Sequence, residues 1–166
     1  MVILGIDPGI RHTGYVLLKD NRLIARGTLI PPGKGRVTLA QVIPFLLAEL
    51  GVLIGKADVA AVEEVVWQGH RRRTMFPLAH IAGALVAALV ARGVPTYLLT
   101  PAMKSRKPIS KGIARRLKSD HERDAYNLAI IARNAESAIG TSCNAKPVAV
   151  ARRRLSVGGS VHGRRG

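Results

Sequence analysis

Residues 2–18 read V-I-L-G-I-D-P-G-I-R-H-T-G-Y-V-L-L, and this stretch decides the fold. Its apolar run, residues 2–6, predicts a buried strand that ends on Asp7 and turns away at Pro8 and Gly9. An ionised carboxylate at the end of a core strand is costly unless it has a hydrogen-bonding, cationic or metal partner. Asp-Pro-Gly is also good turn chemistry, in which the Asp side chain bonds its own backbone. Asp7 is therefore either a turn residue or part of a charged site.

Charge is the strongest global feature of the 166-residue chain, in which 26 Lys and Arg against 10 Asp and Glu give a net charge of +16. Such an excess favours a polyanionic partner. A membrane surface is the competing partner, but we find neither an apolar stretch long enough to span a bilayer nor a basic amphipathic helix at a terminus. We therefore expect nucleic acid, and no membrane. A single cysteine, Cys143, excludes a disulfide framework and fits a reduced compartment, the cytoplasm.

The order of the predicted elements is three strands, helix, strand, helix, strand, helix. The predicted strands are residues 2–6, 15–18, 22–29, 59–62 and 96–99. The predicted helices are residues 39–50 after a Thr38 cap with Gly51 as the stop, 77–92 ahead of Gly93, a short one at 113–117, and a last one that Ser119 and Glu122 cap and that runs to residue 138. This order predicts an α/β domain, residues 1–140, with a mixed five-stranded sheet covered by helices. The basic, Gly-rich residues 141–166 are expected to form a flexible tail.

Four side chains fall where this topology can bring them together. Asp7 and Glu63 end two predicted strands, and His121 and Asp124 stand three residues apart on one face of the last helix. If the first and fourth strands are neighbours, the four converge. Carboxylate oxygens on rigid elements bind Mg²⁺ or Mn²⁺, and two such ions about 3.5 to 4 Å apart support phosphodiester cleavage. A cation would also explain why Asp7 can end a core strand.

Each of these residues also has a plainer explanation. Glu63, or its neighbour Glu64, could be an exposed acid at a strand end, with alternation placing only one of the two on the active face. Asp124 could serve the helix dipole alone, which is worth about 0.3 to 1 kcal/mol. His121 by itself would more often be a surface histidine than a ligand. Only the spacing of all four within one topology favours a site.

Three motifs of the chain, G-I-D-P-G-I-R-H-T-G-Y, A-A-V-E-E and H-E-R-D-A-Y-N-L-A-I, resemble those of the RuvC-type Holliday-junction resolvases and stand in the same order. The resemblance covers roughly residues 2–132. It implies an RNase H-like fold, a homodimer, and two Mg²⁺ or Mn²⁺ ions per active site that support paired nicks in four-way DNA junctions. By motif, Asp7 would bridge both metals, with Glu63 and Asp124 as further ligands. His121 stands where members carry Asp or His, and would be a metal ligand or the base that prepares the attacking water.

The DNA-binding candidates are an aromatic residue and a set of basic residues. Trp67, just after the second motif, would wedge into unpaired bases, although a core tryptophan is about as good an explanation. The segment before the last motif is short for the family, so we expect a reduced junction-binding part. Basic residues without interleaved acids should bind phosphates rather than form a merely solvated face. They are Arg71, Arg72, Arg73, Lys104, Arg106, Lys107, Lys111, Arg115, Arg116 and Lys118.

Two other functions remain open at this level. One is a different RNase H-like nuclease, acting on other branched DNA or on an RNA/DNA hybrid. The other is a protein that binds junctions without cutting them. The motif G-I-D-P-G also resembles the phosphate loop of actin-like ATPases, but these need two lobes and a far longer chain.

Overall fold

The computed structural model of the chain describes residues 1–33, 35–66, 72–103 and 109–138. For residues 72 and 73 it describes the backbone and not the side chains. Five strands form one sheet: β1 Val2–Asp7, β2 Thr13–Lys19, β3 Arg22–Leu29, β4 Val59–Glu63 and β5 Thr96–Leu99. The helices are α1 Leu39–Ile54, α2 Arg72–Ala91, α3 Lys111–Ala114 and α4 Asp120–Ala138, with a 3₁₀ turn at Pro101–Met103. The predicted tail, residues 141–166, and its boundary lie outside the described residues.

The sheet is mixed, with the strand order β3-β2-β1-β4-β5. Strand β2 is antiparallel to β1 and to β3, and β1, β4 and β5 are mutually parallel. The β2–β3 hairpin turns at Asp20 and Asn21, whose φ angles of 46° and 68° suit residue types that tolerate the left-handed region. This confirms the predicted mixed sheet. The first and fourth strands pair, as the convergence of the four side chains requires, and their C-terminal ends lie at one edge.

Successive residues of β1 point to opposite faces of the sheet, which has helices on both sides. Ile3 packs in a cluster with the apolar face of α4, whereas Leu4 and Ile6 pack in a second cluster with α1 and α2. The result is a three-layer domain with a core on each face of the sheet. Alternation continues at the end of β1, so Asp7 shares the α4 face with Ile3.

Two glycines allow α4 to lie unusually close to the sheet. A Cβ atom at Gly5 would stand 2.0 Å from the carbonyl oxygen of Ala125, and one at Gly14 would stand 2.2 Å from that of His121. Both obstacles are backbone atoms, which cannot rotate aside. These strand positions therefore need glycine, and the first turns of α4 are fixed over β1 and β2.

Helix α1 begins as predicted and ends later. The backbone N–H of Thr38 donates to Gln41 Oε1 at 2.9 Å, half of the predicted capping box. The helix runs through Gly51 to Ile54, so the predicted stop is wrong. Leu50 and Ile54 are both fully buried one turn apart, and their packing outweighs the weak helix propensity of one glycine.

Helix α2 begins at residue 72, five residues before the predicted start, and Pro77 lies inside it. The earlier turn buries Met75. Gly93, with φ of +73°, follows the end of the helix as predicted. The proline marks an early turn of the helix, where it removes one backbone hydrogen bond without ending it.

By length and composition, the window Thr74–Ala91 could cross a membrane, contrary to the sequence expectation that no stretch is long enough. Only 28% of this window is buried, so α2 is not buried all round as its composition suggested. Its buried residues, among them Ile81, Leu85 and Leu89, pack in one cluster with α1 and the sheet. This one-sided packing is that of a surface helix of a globular domain, with one face against the core.

The short helix α3 covers residues 111–114 rather than the predicted 113–117, and Leu117 is instead buried in the loop that follows. Helix α4 begins after Ser119, as predicted, and the Ser119 hydroxyl accepts from the Glu122 backbone N–H at 3.1 Å. The Glu122 carboxylate does not complete the predicted capping box. It accepts instead from the backbone N–H of Lys118, at 2.9 Å.

Candidate active site

Two of the predicted site carboxylates lie at neighbouring strand ends. Ile6 of β1 pairs with Val62 of β4, and Asp7 and Glu63 follow these residues directly. Val59 and Ala61 of β4 belong to the cluster that packs on α4, so alternation places Glu63 on the same face of the sheet as Asp7. Asp7 is only 5% exposed, and Glu63 is half-buried.

His121 joins this edge from the first turn of α4. Its Nδ1 lies 2.7 Å from Asp7 Oδ2. An ionised carboxylate can only accept a hydrogen bond, so the contact requires a proton on Nδ1. In the neutral imidazole the lone pair is then on Nε2, the atom that would bind a cation or accept a proton. Asp7 is therefore paired through its side chain.

Asp124 lies one helical turn after His121 and directly before Ala125, the residue whose carbonyl oxygen approaches Gly5. It is half-buried. Helix α4 packs on β1, β2 and β4, and its first turn carries His121 to the edge at which β1 and β4 end. The structure thus places β1 beside β4 and the first turn of α4 against β1 and β2, and it brings Asp7 and His121 into contact.

The donor set suits a divalent cation in its chemistry: three carboxylates and one imidazole on rigid elements at one sheet edge. In the structure, Asp7 and His121 form a hydrogen-bonded pair rather than part of a preformed metal-binding cluster. Among residues 1–33, 35–66, 72–103 and 109–138, no three His, Cys, Asp or Glu side chains are grouped so as to hold a metal ion. The described contact within this donor set is the bond between Asp7 and His121. The residues therefore fit a divalent metal in the kind of donor that they offer.

A cavity of about 210 Å³ adjoins this edge. Both Glu63 and Glu64 line it, together with Pro8, Val65, Val66, Thr74, Met75, Leu78 and Pro101. Glu63 is the last residue of β4, and Glu64 follows it directly. Glu64, although exposed, is a second acid beside the site.

Sequence reasoning missed an ion pair that anchors the first turn of α4. Arg26 of β3 donates to Glu122 Oε2 at 2.7 Å, and the glutamate is 3% exposed. Beside it, the hydroxyls of Thr28 and Ser119 lie 2.7 Å apart. Glu122 was visible only as a capping residue, since nothing in its spacing pointed to Arg26, 96 positions away.

His12 is a second residue that the motif analysis passed over. Its ring stacks on that of His121, with centroids 5.7 Å apart and planes inclined by 12°. The signal was an ionisable side chain at a variable position of the G-I-D-P-G-x-x-x-T-G-Y motif. Both histidines therefore lie at the edge that holds Asp7.

The predicted DNA-binding residues are only partly within the described chain. Lys111, Arg115 and Lys118 are exposed on α3 and the loop that leads into α4. Arg116 is exposed but donates to the Leu23 carbonyl at 2.9 Å, so part of its bonding capacity serves the fold. Arg72 and Arg73 open α2, with side chains not described. The remaining candidates lie outside the described residues: Trp67, Arg71, Lys104, Arg106 and Lys107.

The fold is like that of solved structures of Thermus thermophilus RuvC. One of them, a complex with a Holliday junction substrate, superposes with a TM-score of 0.69 at 21% identity and covers 89% of this chain and 99% of that one. A second structure of the same protein superposes with a TM-score of 0.66 at 21% identity and covers 89% of this chain and 100% of that one. The likeness defines an RNase H-like α/β domain. No protein-family model matches the chain.

Sequence comparison carries the assignment further. A crossover junction endodeoxyribonuclease RuvC of Neisseria meningitidis is 31% identical over 125 residues, which are 72% of this chain and 68% of the relative. The RuvC of Bordetella avium is 32% identical over 120 residues, which are 69% of this chain and 65% of that protein. The RuvC of Anaeromyxobacter sp. is 35% identical over 61% of this chain and 56% of that protein. The chain belongs to the RuvC family of Holliday-junction-resolving endonucleases, whose members depend on a divalent metal ion.

Proposed function

We propose that this chain resolves four-way DNA junctions by metal-dependent phosphodiester hydrolysis. The observation that carries the proposal is the meeting of Asp7 and His121 at the edge where β1 and β4 end, with Glu63 and Asp124 on the adjoining positions. Membership of the RuvC family supports the reaction class. The chain spans 56 to 68% of the length of the three RuvC relatives compared, so its activity and substrate are proposed for it rather than transferred.

The metal ions are assigned as two Mg²⁺ or Mn²⁺ per site, held by Asp7, Glu63 and Asp124, with His121 as a fourth ligand or as a base. Bound ions of this kind polarise the phosphate and lower the pKa of a bound water. The chain itself supplies rigid carboxylates on two strand ends and one helix. Asp7 also orients His121, because the bond to Nδ1 leaves Nε2 as the nitrogen that can take a proton or hold a cation.

DNA would reach the site across its basic surroundings. Lys111, Arg115 and Lys118 are exposed on α3 and the loop that leads into α4, so they are available to contact phosphates of a bound junction. Such contacts position the junction without reading its sequence. We assign the nuclease unit to residues 1–140 and a further contribution to DNA affinity to the basic residues 141–166. Trp67 is proposed as the wedge at the crossover.

Paired nicks need two sites, and the described residues of one chain form one such edge. We therefore propose a homodimer that cuts opposite strands of one junction in the cytoplasm. The two competing functions make different predictions. Another RNase H-like nuclease would prefer a flap or an RNA/DNA hybrid, and a junction-binding protein would bind without any cleavage.

The deciding experiment is cleavage of a labelled, immobile four-way junction with Mg²⁺, Mn²⁺ or EDTA. A linear duplex of the same sequence, a flap and an RNA/DNA hybrid serve as competitors. Symmetric nicks near the crossover that need metal and spare the competitors are expected. Preference for a competitor would assign a different nuclease, and tight junction binding with no product in either metal would assign a binding protein.

A further inference from the structure

A hydrogen bond alone does not fix the ring of His121. The bond from Nδ1 to Asp7 sets the position of one ring atom, but rotation about the terminal side-chain torsion of histidine has broad minima. A ring held at one atom can still tilt, and Nε2 on its far side then moves. A flat contact against the ring face removes this freedom.

His12 supplies that contact. The two imidazole planes are nearly parallel, inclined by 12°, with centroids 5.7 Å apart, within the range of offset stacks between aromatic rings. Asp7 holds one edge of the His121 ring, and the ring of His12 lies nearly parallel to it in an offset stack. Together the two contacts define the plane in which Nε2 lies.

The loop that carries His12 is itself tightly held. The Thr13 hydroxyl, in a fully buried residue, donates to the Gly9 carbonyl at 3.0 Å and accepts from the Gly9 N–H at 3.1 Å. A Cβ atom at Gly9 would stand 2.0 Å from the His12 carbonyl oxygen, so the chain closes on itself only because residue 9 is glycine. His12 is exposed to solvent, yet its backbone is fixed. An exposed side chain on a fixed backbone is suited to a positioning task.

We propose that His12 is a positioning residue for junction cleavage, whose ring holds the imidazole of His121 in its working orientation. This inference rests on the proposed function, because it gives His12 a part in the same reaction. The stack, rather than a nitrogen of His12, performs the task. An aromatic ring without nitrogen should therefore replace it.

The test compares His12→Ala with His12→Phe, and uses His80→Ala as the control. His80 is an exposed histidine of α2 whose Nδ1 lies 2.6 Å from the Phe76 carbonyl oxygen. His12→Ala should lower the single-turnover cleavage rate by about 10- to 100-fold, the usual effect of losing a residue that orients a ligand, with junction affinity unchanged. His12→Phe should recover most of the rate. In a His121→Ala background, His12→Ala should have no further effect.

A second measurement does not depend on cleavage. The ring resonances of His121, followed by NMR without metal, should shift in His12→Ala and stay close to their wild-type positions in His12→Phe. The inference is overturned if His12→Ala cleaves at the wild-type rate, if His12→Phe is as impaired as His12→Ala, or if the resonances do not move. Failure of the wild type to cut any junction would instead overturn the proposed function, and the resonances would still decide whether the stack orients His121.

Discussion

At the scale of single residues, the buried acid at the end of β1 has an explanation. Asp7 is not simply a turn residue, because its carboxylate is 5% exposed and bonds the imidazole of His121. A charged side chain is tolerated in this position because it bonds His121, a residue that can carry a positive charge. A cation at the same edge would compensate the charge of Asp7 further. Its chemistry, rather than its turn propensity, accounts for its place.

We expect Asp7→Asn to lower cleavage by at least about 100-fold, because it removes one negative charge from the proposed metal site. Junction binding should persist, since the basic surface is unchanged. Asp58→Asn is the matched control: Asp58 accepts from the backbone N–H of Val2 at 2.7 Å, at the opposite end of β1. Cleavage rate and junction affinity, measured for both variants, show whether Asp7 is needed for cleavage and not for binding. Wild-type turnover by Asp7→Asn would contradict the metal assignment.

At the scale of elements, the first turn of α4 determines whether its two candidate residues reach the sheet. Glu122 ties this turn to β3 through Arg26 and to the preceding loop through the Lys118 backbone. Gly5 and Gly14 let the helix approach the strands. The site thus depends on packing between elements far apart in sequence.

We expect Glu122→Ala to lower the free energy of unfolding by about 2 to 4 kcal/mol, because it leaves a half-buried guanidinium and a backbone N–H without their acceptor. Asp120→Ala, in the same turn, removes an exposed pair with Arg123 and should change stability by less than about 0.5 kcal/mol. Urea unfolding at constant m-value measures both. Equal losses would show that the Arg26 pair does not anchor the helix.

Two glycine substitutions should have opposite effects. Gly5→Ala places a methyl group against the Ala125 carbonyl, and we expect it to destabilise the fold by about 1 to 3 kcal/mol or more. A Cβ at Gly83, on the exposed side of α2, meets nothing within 4 Å, so Gly83→Ala should stabilise by about 0.5 to 1 kcal/mol. Thermal unfolding of the two variants tests the sign. Stabilisation by Gly5→Ala would refute the close contact between β1 and α4.

At the scale of the whole molecule, a net charge of +16 makes binding to DNA a largely electrostatic process. Affinity for a four-way junction should fall linearly with salt on logarithmic axes. The slope counts the phosphates that the protein neutralises. Charge of this kind favours association and leaves the choice of junction to shape.

We expect Arg115→Ala and Lys118→Ala each to reduce the salt slope by about 1, because each would remove one phosphate contact. Lys56→Ala, an exposed lysine in the turn after α1 and before β4, should leave the slope unchanged. Fluorescence anisotropy across a salt series measures the three variants. A slope equally reduced by Lys56→Ala would show that net charge, rather than a surface near α4, binds the DNA.

The sequence alone determined the order of elements, the mixed sheet and the acids, Asp7 and Glu63, that end β1 and β4. It could do so because a buried strand is recorded in a local apolar run, as in residues 59–62, and because an acid after such a run has no place in a core. Two strands, β3 and β5, have the bounds that the sequence predicts. The motif order identified the family.

The tertiary structure alone decided where helices stop and which side chains meet. Helix α1 continues past Gly51 because Ile54 packs against the sheet. The free energy of this packing cannot be read from the residues next to Gly51 in the sequence. The bond of Arg26 to Glu122 and the stack of His12 on His121 join residues 96 and 109 positions apart in the chain. Local propensity reports the preferences of neighbours in sequence, whereas these contacts depend on distances that exist only once the sheet and α4 have packed together.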